Sequence, residues 1–332
     1  MKNKWKKSIL AMAVCVLVSC QAGTEQTSKN EEKMNADKEL KCEVELDTIM
    51  QVGEGPIWDY KYNRLLWIDT QGSLMIYSPE TKKNQVIALD RQIGTVIPYL
   101  EDTVLVGLCD GIYEMSLTTK QLKFIADPEG RAAGNRYNDG KCDAEGRLWI
   151  GTMDKDCTPQ KAAFFCVEPD GNHRQILDSV TISNGVTWSP DGKTMYYQDT
   201  PTLQVSAFDF DAKSGKASNR KEVIRFTEDM GTPDGNAMDE EGMLWVANWG
   251  AACVTRWNPA TGELLQKIDV PALNVAALAF GGKDMETLFI TTASLWMPED
   301  KAGKYPQAGK MFSVKPGVKG AKCNYWKFGN KK

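Results

Sequence analysis

Hydrophobic and polar positions past Leu40 recur in one pattern, six times over. Each copy opens on a polar, turn-like stretch and runs into strand-forming residues. The copies are "DYKYNRLLWIDT" from Asp59, "LEDTVLVGLCDG" from Leu100, "DAEGRLWIGT" from Asp143, "SPDGKTMYYQDT" from Ser189, "DEEGMLWVANWG" from Asp239 and "GGKDMETLFITTA" from Gly281. Aligned on Trp67, Leu105, Trp149, Tyr197, Trp245 and Phe289, they are spaced by about 38 to 48 residues, the range of propeller blades. A second alternating run follows each copy: "SLMIYSPETKK", "GIYEMSLTTKQ", "AFFCVEPDGNH", "QVSAFDFDAKSG", "CVTRWNPATGE" and "KMFSVKPGVKG". Each ends in a polar turn, which is a hairpin signal. Long helical periodicity is absent. The pattern predicts an all-β fold, a six-bladed β-propeller; a stacked solenoid is the competitor, and the wealth of strand and turn signals argues against it.

A propeller surrounds one axial channel with its innermost strands, so residues far apart in sequence meet at one mouth. Four stretches place polar residues beside glycine or before an apolar strand. They are "GEGPIW" with Glu54, "NRYNDGKCD" with Arg136, Asn138 and Asp139, "ISNGVTWSPDG" with Asn184, and "GTPDGNAMD" with Asp234. N-G, N-D-G and P-D-G are also common turn sequences whose side chains often bond only their own backbone. Glu54 fits that reading poorly. Glutamate is not a favoured turn former, and in this apolar setting an unanswered carboxylate is costly. Together Glu54, Asn184 and Asp234 offer two anionic oxygens and one amide oxygen, a set suited to a hard divalent cation. Periodicity alone does not bring the three together.

Composition narrows the classes of function. The chain has 332 residues, 42% hydrophobic and 25% charged, with a formal net charge of -4. No basic block appears beyond the first seven residues, so nucleic acid is not an expected partner. His173, in "EPDGNHRQ", is the only histidine, and it reads as a surface turn residue. There is no G-x-S-x-G elbow. Histidine-dependent triads, histidine dyads and multi-histidine zinc sites therefore find no anchor. The nine cysteines show no C-x-x-C, so those past Cys20 are read mostly as small buried hydrophobes.

The amino end reads differently from the rest. "MKNKWKK" followed by the short apolar run "SILAMAVCVLVSC" has the layout of an export signal. Leu17 to Cys20 resembles the lipobox of bacterial lipoproteins. That resemblance implies a signal peptide over 1–19, a lipid on Cys20 that anchors the chain to a membrane, and a flexible tether over 20–40. A propeller domain over 41–330 follows, displayed at the bacterial cell envelope as a monomer.

The blocks "GEGPIW", "RYNDGKCDAEGRLWIGTM", "ISNGVTWSPDGKTMYYQDT", "PDGNAMDEEGMLWVANWGAACVTRW" and "NVAALAFGGKDMETLFITTA" resemble, in order, the signature blocks of the SMP-30/gluconolactonase (regucalcin-like) family. The resemblance implies a six-bladed propeller that hydrolyses sugar lactones. It assigns a metal to Glu54, Asn184 and Asp234, and substrate contacts to Arg136 and Asn138. Asp199 matches an acidic strand-end residue near the site. The expected cofactor is one divalent cation, calcium first, with Mg²⁺, Mn²⁺ or Zn²⁺ as alternatives. Asp234 is the expected general base and Asp199 the second choice. The stretch Met153 to Val167 matches the family poorly, with Ala162, Ala163, Phe164 and Phe165 where a "G-A-L-Y" run is usual. Two other readings stand beside the lactonase. One is a hydrolase of other esters or organophosphates on the same metal; the other is a non-catalytic envelope propeller that binds sugar or protein. Trp249 and Trp296, which follow strand ends, are candidates for the mouth.

Overall fold

The computed structural model describes residues 40–130 and 134–327. The signal, Cys20 and nearly all of the tether lie outside them. The first strand, β1 (Glu43–Leu46), is set apart in sequence from the blade it joins. Blade one is β2 (Gly53–Asp59), β3 (Arg64–Asp69), β4 (Ser73–Ser78) and β5 (Lys83–Ala88); blade two is β6 (Ile93–Pro98), β7 (Thr103–Leu108), β8 (Gly111–Ser116) and β9 (Leu122–Ala126). Blade three is β10 (Asn135–Cys142), β11 (Leu148–Asp154), β12 (Ala162–Val167) and β13 (His173–Val180). Blade four is β14 (Ser183–Trp188), β15 (Thr194–Asp199), β16 (Gln204–Asp211) and β17 (Lys216–Arg225). Blade five is β18 (Thr232–Met238), β19 (Leu244–Trp249), β20 (Cys253–Asn258) and β21 (Glu263–Asp269). Blade six is β22 (Asn274–Gly281), β23 (Thr287–Ala293) and β24 (Met311–Val314), completed by β1, which pairs antiparallel with β24.

The six-bladed propeller is thus as the repeats predict, with one contribution that they do not show: the amino-terminal strand closes the ring. Closure joins the two ends of the chain within one blade, so the ring has no loose end, and each blade keeps only a short outer edge. The inner strands β2, β6, β10, β14, β18 and β22 touch in that order, and β22 touches β2 again. Residues of β6, β12 and β22 are buried throughout, whereas the outermost β5, β9 and β17 are mostly exposed.

The repeated tryptophan has a structural task. Trp67, Trp149 and Trp245 are fully buried. In blade three the carboxylate of Asp143 accepts the Trp149 indole N–H at 2.8 Å and the Glu145 and Arg147 amides of the turn. Asp239 does the same in blade five, accepting Trp245 Nε1 at 3.0 Å and the amides of Glu241 and Met243. "DAEGRLW" and "DEEGMLW" are therefore hairpin turns pinned to their own core. His173 is exposed at the start of β13. The cysteines correct the expectation: Cys142, Cys166 and Cys253 are buried, Cys42, Cys109 and Cys323 are partly covered, and Cys157 is exposed. Among the described residues no helix is long and apolar enough to cross a membrane.

Candidate functional site

Every inner strand carries a register shift near its start. The shifts fall between Glu54 and Ile57, Ile93 and Thr95, Tyr137 and Gly140, Asn184 and Val186, Pro233 and Asn236, and Val275 and Ala277. A β-bulge inserts an extra residue and re-aims side chains beside it. Four of the six bulges carry or adjoin the predicted polar residues: Glu54, Asn138 with Asp139, Asn184, and Asp234. Blades two and six offer Gly94 and Ala276 instead. Gly185, after Asn184, has a φ of 47°. A Cβ there would lie 2.7 Å from the side chains of Gln198 and Asn236, so this bulge requires glycine.

One hydrogen-bond chain links three blades at this mouth. Arg136 Nη1 donates to Asn138 Oδ1 at 2.8 Å and to the Tyr137 carbonyl. Asn138 Nδ2 donates to Asn184 Oδ1 at 2.9 Å and to the Ser183 carbonyl. Asn184 Nδ2 donates to Thr200 Oγ1 at 2.9 Å, and Thr200 donates to the Pro233 carbonyl. The chain fixes which way the Asn184 amide points, since its nitrogen is committed to Thr200. Its oxygen has a lone pair beyond the one that Asn138 uses.

A second group of polar residues braces the first. Asp139 accepts the amides of Gly140 and Gly185 at 2.8 and 3.0 Å. Lys141 donates to the Asn236 carbonyl, Asn236 Nδ2 to Gln198 Oε1, and Gln198 Nε2 to the Asp234 carbonyl. Asp234 Oδ1 is buried and has no hydrogen-bond partner among the described residues.

Three carboxylates, those of Glu54, Asp139 and Asp234, here face two cations, Arg136 and Lys141. Burial, then the charge on Asp139, pushes Glu54 up to about 8, although the Gly55 amide, Arg136 and Lys141 pull the other way. Burial, then Glu54 and Asp139, holds Asp234 well above the usual aspartate range. Burial lowers Arg136 and Lys141, against the pull of the same carboxylates. The cluster lacks positive charge. An orphaned buried oxygen beside a second raised carboxylate fits a divalent cation on Glu54, Asn184 and Asp234. No three His, Cys, Asp or Glu side chains among the described residues form a metal-binding group by themselves, so a cation site here would have to draw on another kind of donor, such as the Asn184 amide.

Asp199 has a different task. Its carboxylate accepts Ile182 N at 2.9 Å and Thr181 N at 3.2 Å, bracing the segment that enters β14. Its neighbours Gln198 and Thr200, which the sequence reading passed over, make the contacts to the cluster. Lys141 and Asn236 were missed as well; a lysine inside the buried run of β10 was the available signal. The opposite mouth of the channel holds a cleft of about 700 Å³, lined by Trp58, Trp188, Met238 and Phe280 and by the tail residues Ala321 and Cys323. It lies at the other ends of the inner strands, away from Glu54 and Asp234.

Fold and site together define a class: a closed six-bladed propeller with one acidic, amide-braced cluster at an axial mouth. The chain belongs to the SMP-30/gluconolactonase/LRE-like family, whose pattern matches residues 52–294. It is 39% identical over 272 residues to YvrE of Bacillus subtilis (strain 168), provisionally named a sugar lactone lactonase, covering 82% of this chain and 93% of that one. It is 33% identical over 288 residues to regucalcin of Xenopus laevis, covering 85% and 96%. Among solved structures it resembles a calcium-binding regucalcin from Agrobacterium tumefaciens, with a TM-score of 0.83 at 28% identity, covering 87% of this chain and 98% of that one.

Proposed function

We propose that the protein is a metal-dependent hydrolase that opens a sugar lactone, with Glu54, Asn184 and Asp234 holding one divalent cation. The observation that carries the reading is the orphaned, buried Asp234 Oδ1 beside a Glu54 whose charge is only partly answered. The printed names of YvrE and of the calcium-binding regucalcin support the substrate class and the metal. Two carboxylates and an amide are hard oxygen donors that suit calcium, with Mg²⁺, Mn²⁺ or Zn²⁺ as alternatives. When bound, such a cation supplies Lewis acidity toward the ester carbonyl and lowers the pKa of water.

The chain's own residues do the rest. The Asp234 carboxylate accepts the proton of the attacking water. Asp199 is the weaker candidate for that base, because backbone amides already occupy its carboxylate. Arg136 orients the ester and then the carboxylate product through donors beyond the Nη1 that Asn138 holds. Asn138 couples that arginine to Asn184, so substrate placement and cation placement share one hydrogen-bond chain. The same reading takes residues 1–19 as an export signal and Cys20 as the lipid-bearing residue of a monomer at the cell envelope. The mass of the amino-terminal peptide tests the lipid.

The main test is proton release from a panel of aldonolactones, after chelation and after return of each cation, with Glu54→Gln alongside. Cation-dependent turnover that is lost in folded Glu54→Gln supports the assignment. Turnover unaffected by complete chelation would overturn it.

A further inference from the structure

Blade six lies between blade one, which carries Glu54, and blade five, which carries Asp234. Its own bulge is apolar, and it sends no charged group to the cluster. What it supplies instead is a rim loop after β23. The base of that loop is tightly fastened. Ser294 N donates to the carbonyls of Met50 and Gln51, Leu295 N to Gln51, and Ser294 Oγ to Met50. The buried Asn274 donates Nδ2 to the Leu295 carbonyl at 3.2 Å and to the Trp296 carbonyl at 3.5 Å.

On this anchored base stands Trp296, 64% exposed, the most exposed large apolar side chain among the described residues. Its φ is 56°, a left-handed conformation that is unusual for a bulky residue. Trp249 is its neighbour, with ring centroids 6.1 Å apart and planes at 56°. Trp249 pairs with Thr232, two residues before Asp234, and with Asn274. The loop base is bonded to Gln51, three residues before Glu54. The two indoles therefore occupy the rim between the two carboxylates. Arg136 and Asn138 come from blade three, on the opposite side of the six-membered ring.

An exposed indole in a strained backbone, on a base fixed by six hydrogen bonds, is held out in advance of whatever it meets. Aromatic faces bind weakly polarised C–H groups well while leaving polar edges wet. Polyhydroxylated lactone rings carry such C–H groups on their faces, between the hydroxyls. We propose that Trp296, backed by Trp249, grips a C–H face of the lactone ring across the mouth from Arg136 and so sets which cyclic esters enter. This rests on the lactonase reading above.

The test compares the full-length wild type with Trp296→Ala and Trp296→Phe. It measures kcat and KM for D-glucono-1,5-lactone and, by calorimetry, the affinity for the corresponding unreactive lactam. Trp296→Ala raises KM and weakens lactam binding by about fivefold to tenfold, the range of an aromatic contact, with kcat within about twofold; Trp296→Phe recovers most of the loss. A merely structural side chain would not produce that division. If the wild type turns over the lactone and Trp296→Ala leaves both KM and lactam affinity unchanged, the aromatic grip is wrong and the lactonase reading stands. If the wild type neither hydrolyses lactones nor binds the lactam, both fall. Loss of self-association in Trp296→Ala with unchanged KM would assign the indole to a protein contact and overturn the proposal.

Discussion

Blades one and four finish their second strands with the same aspartate, and differ in the residue before it and in what the side chain of the threonine after it meets. In blade one Asp69 accepts the amides of Gln51 and Val52 at 2.9 and 3.2 Å; in blade four Asp199 accepts those of Thr181 and Ile182. The following threonine repeats too, with Thr70 N bonded to the Val52 carbonyl and Thr200 N to that of Ile182. Each aspartate fastens the segment that leads into the inner strand of its blade. Successive side chains on a strand face opposite ways, so the residues flanking the aspartate share the other face. In blade one Ile68 is core; in blade four Gln198 and Thr200 reach Asp234, Asn184 and Pro233. An acidic residue near a site is thus not automatically part of its chemistry.

The sharpest way to break this comparison is to exchange the two kinds of aspartate. Asp234→Asn should lower kcat by about 10²- to 10⁴-fold, the range for a lost general base. Asp199→Ala should keep kcat within a few-fold and lose about 1–3 kcal/mol of stability by stranding its buried amides; Asp69→Ala should match it. Steady-state kinetics and urea unfolding on the three proteins decide. A folded Asp199→Ala without turnover would make Asp199 the base.

Next in size is the threonine pair. Thr200→Val removes the acceptor that orients Asn184, and should weaken cation binding by about 10- to 100-fold, as lost outer supports of metal ligands do. Thr70→Val in blade one should leave cation affinity alone. Equal effects in a cation titration would mean that the threonines only hold the fold.

The smallest effect is in pH. Without cation, folded Glu54 keeps its proton up to about 8, against an ordinary 4.5. Between those values the folded chain binds more protons than the unfolded one, so stability falls as pH rises through that window. The Tm of chelated protein should therefore decline by a few degrees from about pH 4.5 to about pH 8. Saturating cation should flatten the slope, and Glu54→Gln should reduce it, leaving the share that the raised Asp234 and Asp139 carboxyls contribute. A flat profile in chelated wild type would mean that the charge on Glu54 is already answered.

The blades were legible because burial imposes the same strand-turn alternation on each copy, and "DAEGRLW" repeats as "DEEGMLW" for a reason that the hairpin itself explains. Glu54, Asn184 and Asp234 could be singled out because each adjoins glycine ahead of an apolar run. Their meeting could not be read from spacing, since a bulge is a relation between two strands and leaves no mark on one. Thr200 and Gln198 were hidden for a simpler reason. They sit on either side of Asp199, and the eye goes to the charge rather than to the face of the strand it occupies. The ring-closing role of Glu43–Leu46 was invisible because its partner, Met311–Val314, lies at the far end of the chain.

That closure also has a mechanical meaning. A pull on the amino end is borne first by the three paired positions of the seam, Glu43 with Ser313, Val44 with Phe312 and Leu46 with Met311. Glu45 reinforces it by accepting Ser313 Oγ at 2.8 Å and Lys82 Nζ at 2.6 Å. Behind it, the clasp of Asp69 on Gln51 and Val52 still holds the segment that leads into Glu54. Load applied at the amino end must open the seam, the bonds of Ser294 and Leu295 to Met50 and Gln51, and the Asp69 clasp before it can displace the first residue of the acidic cluster.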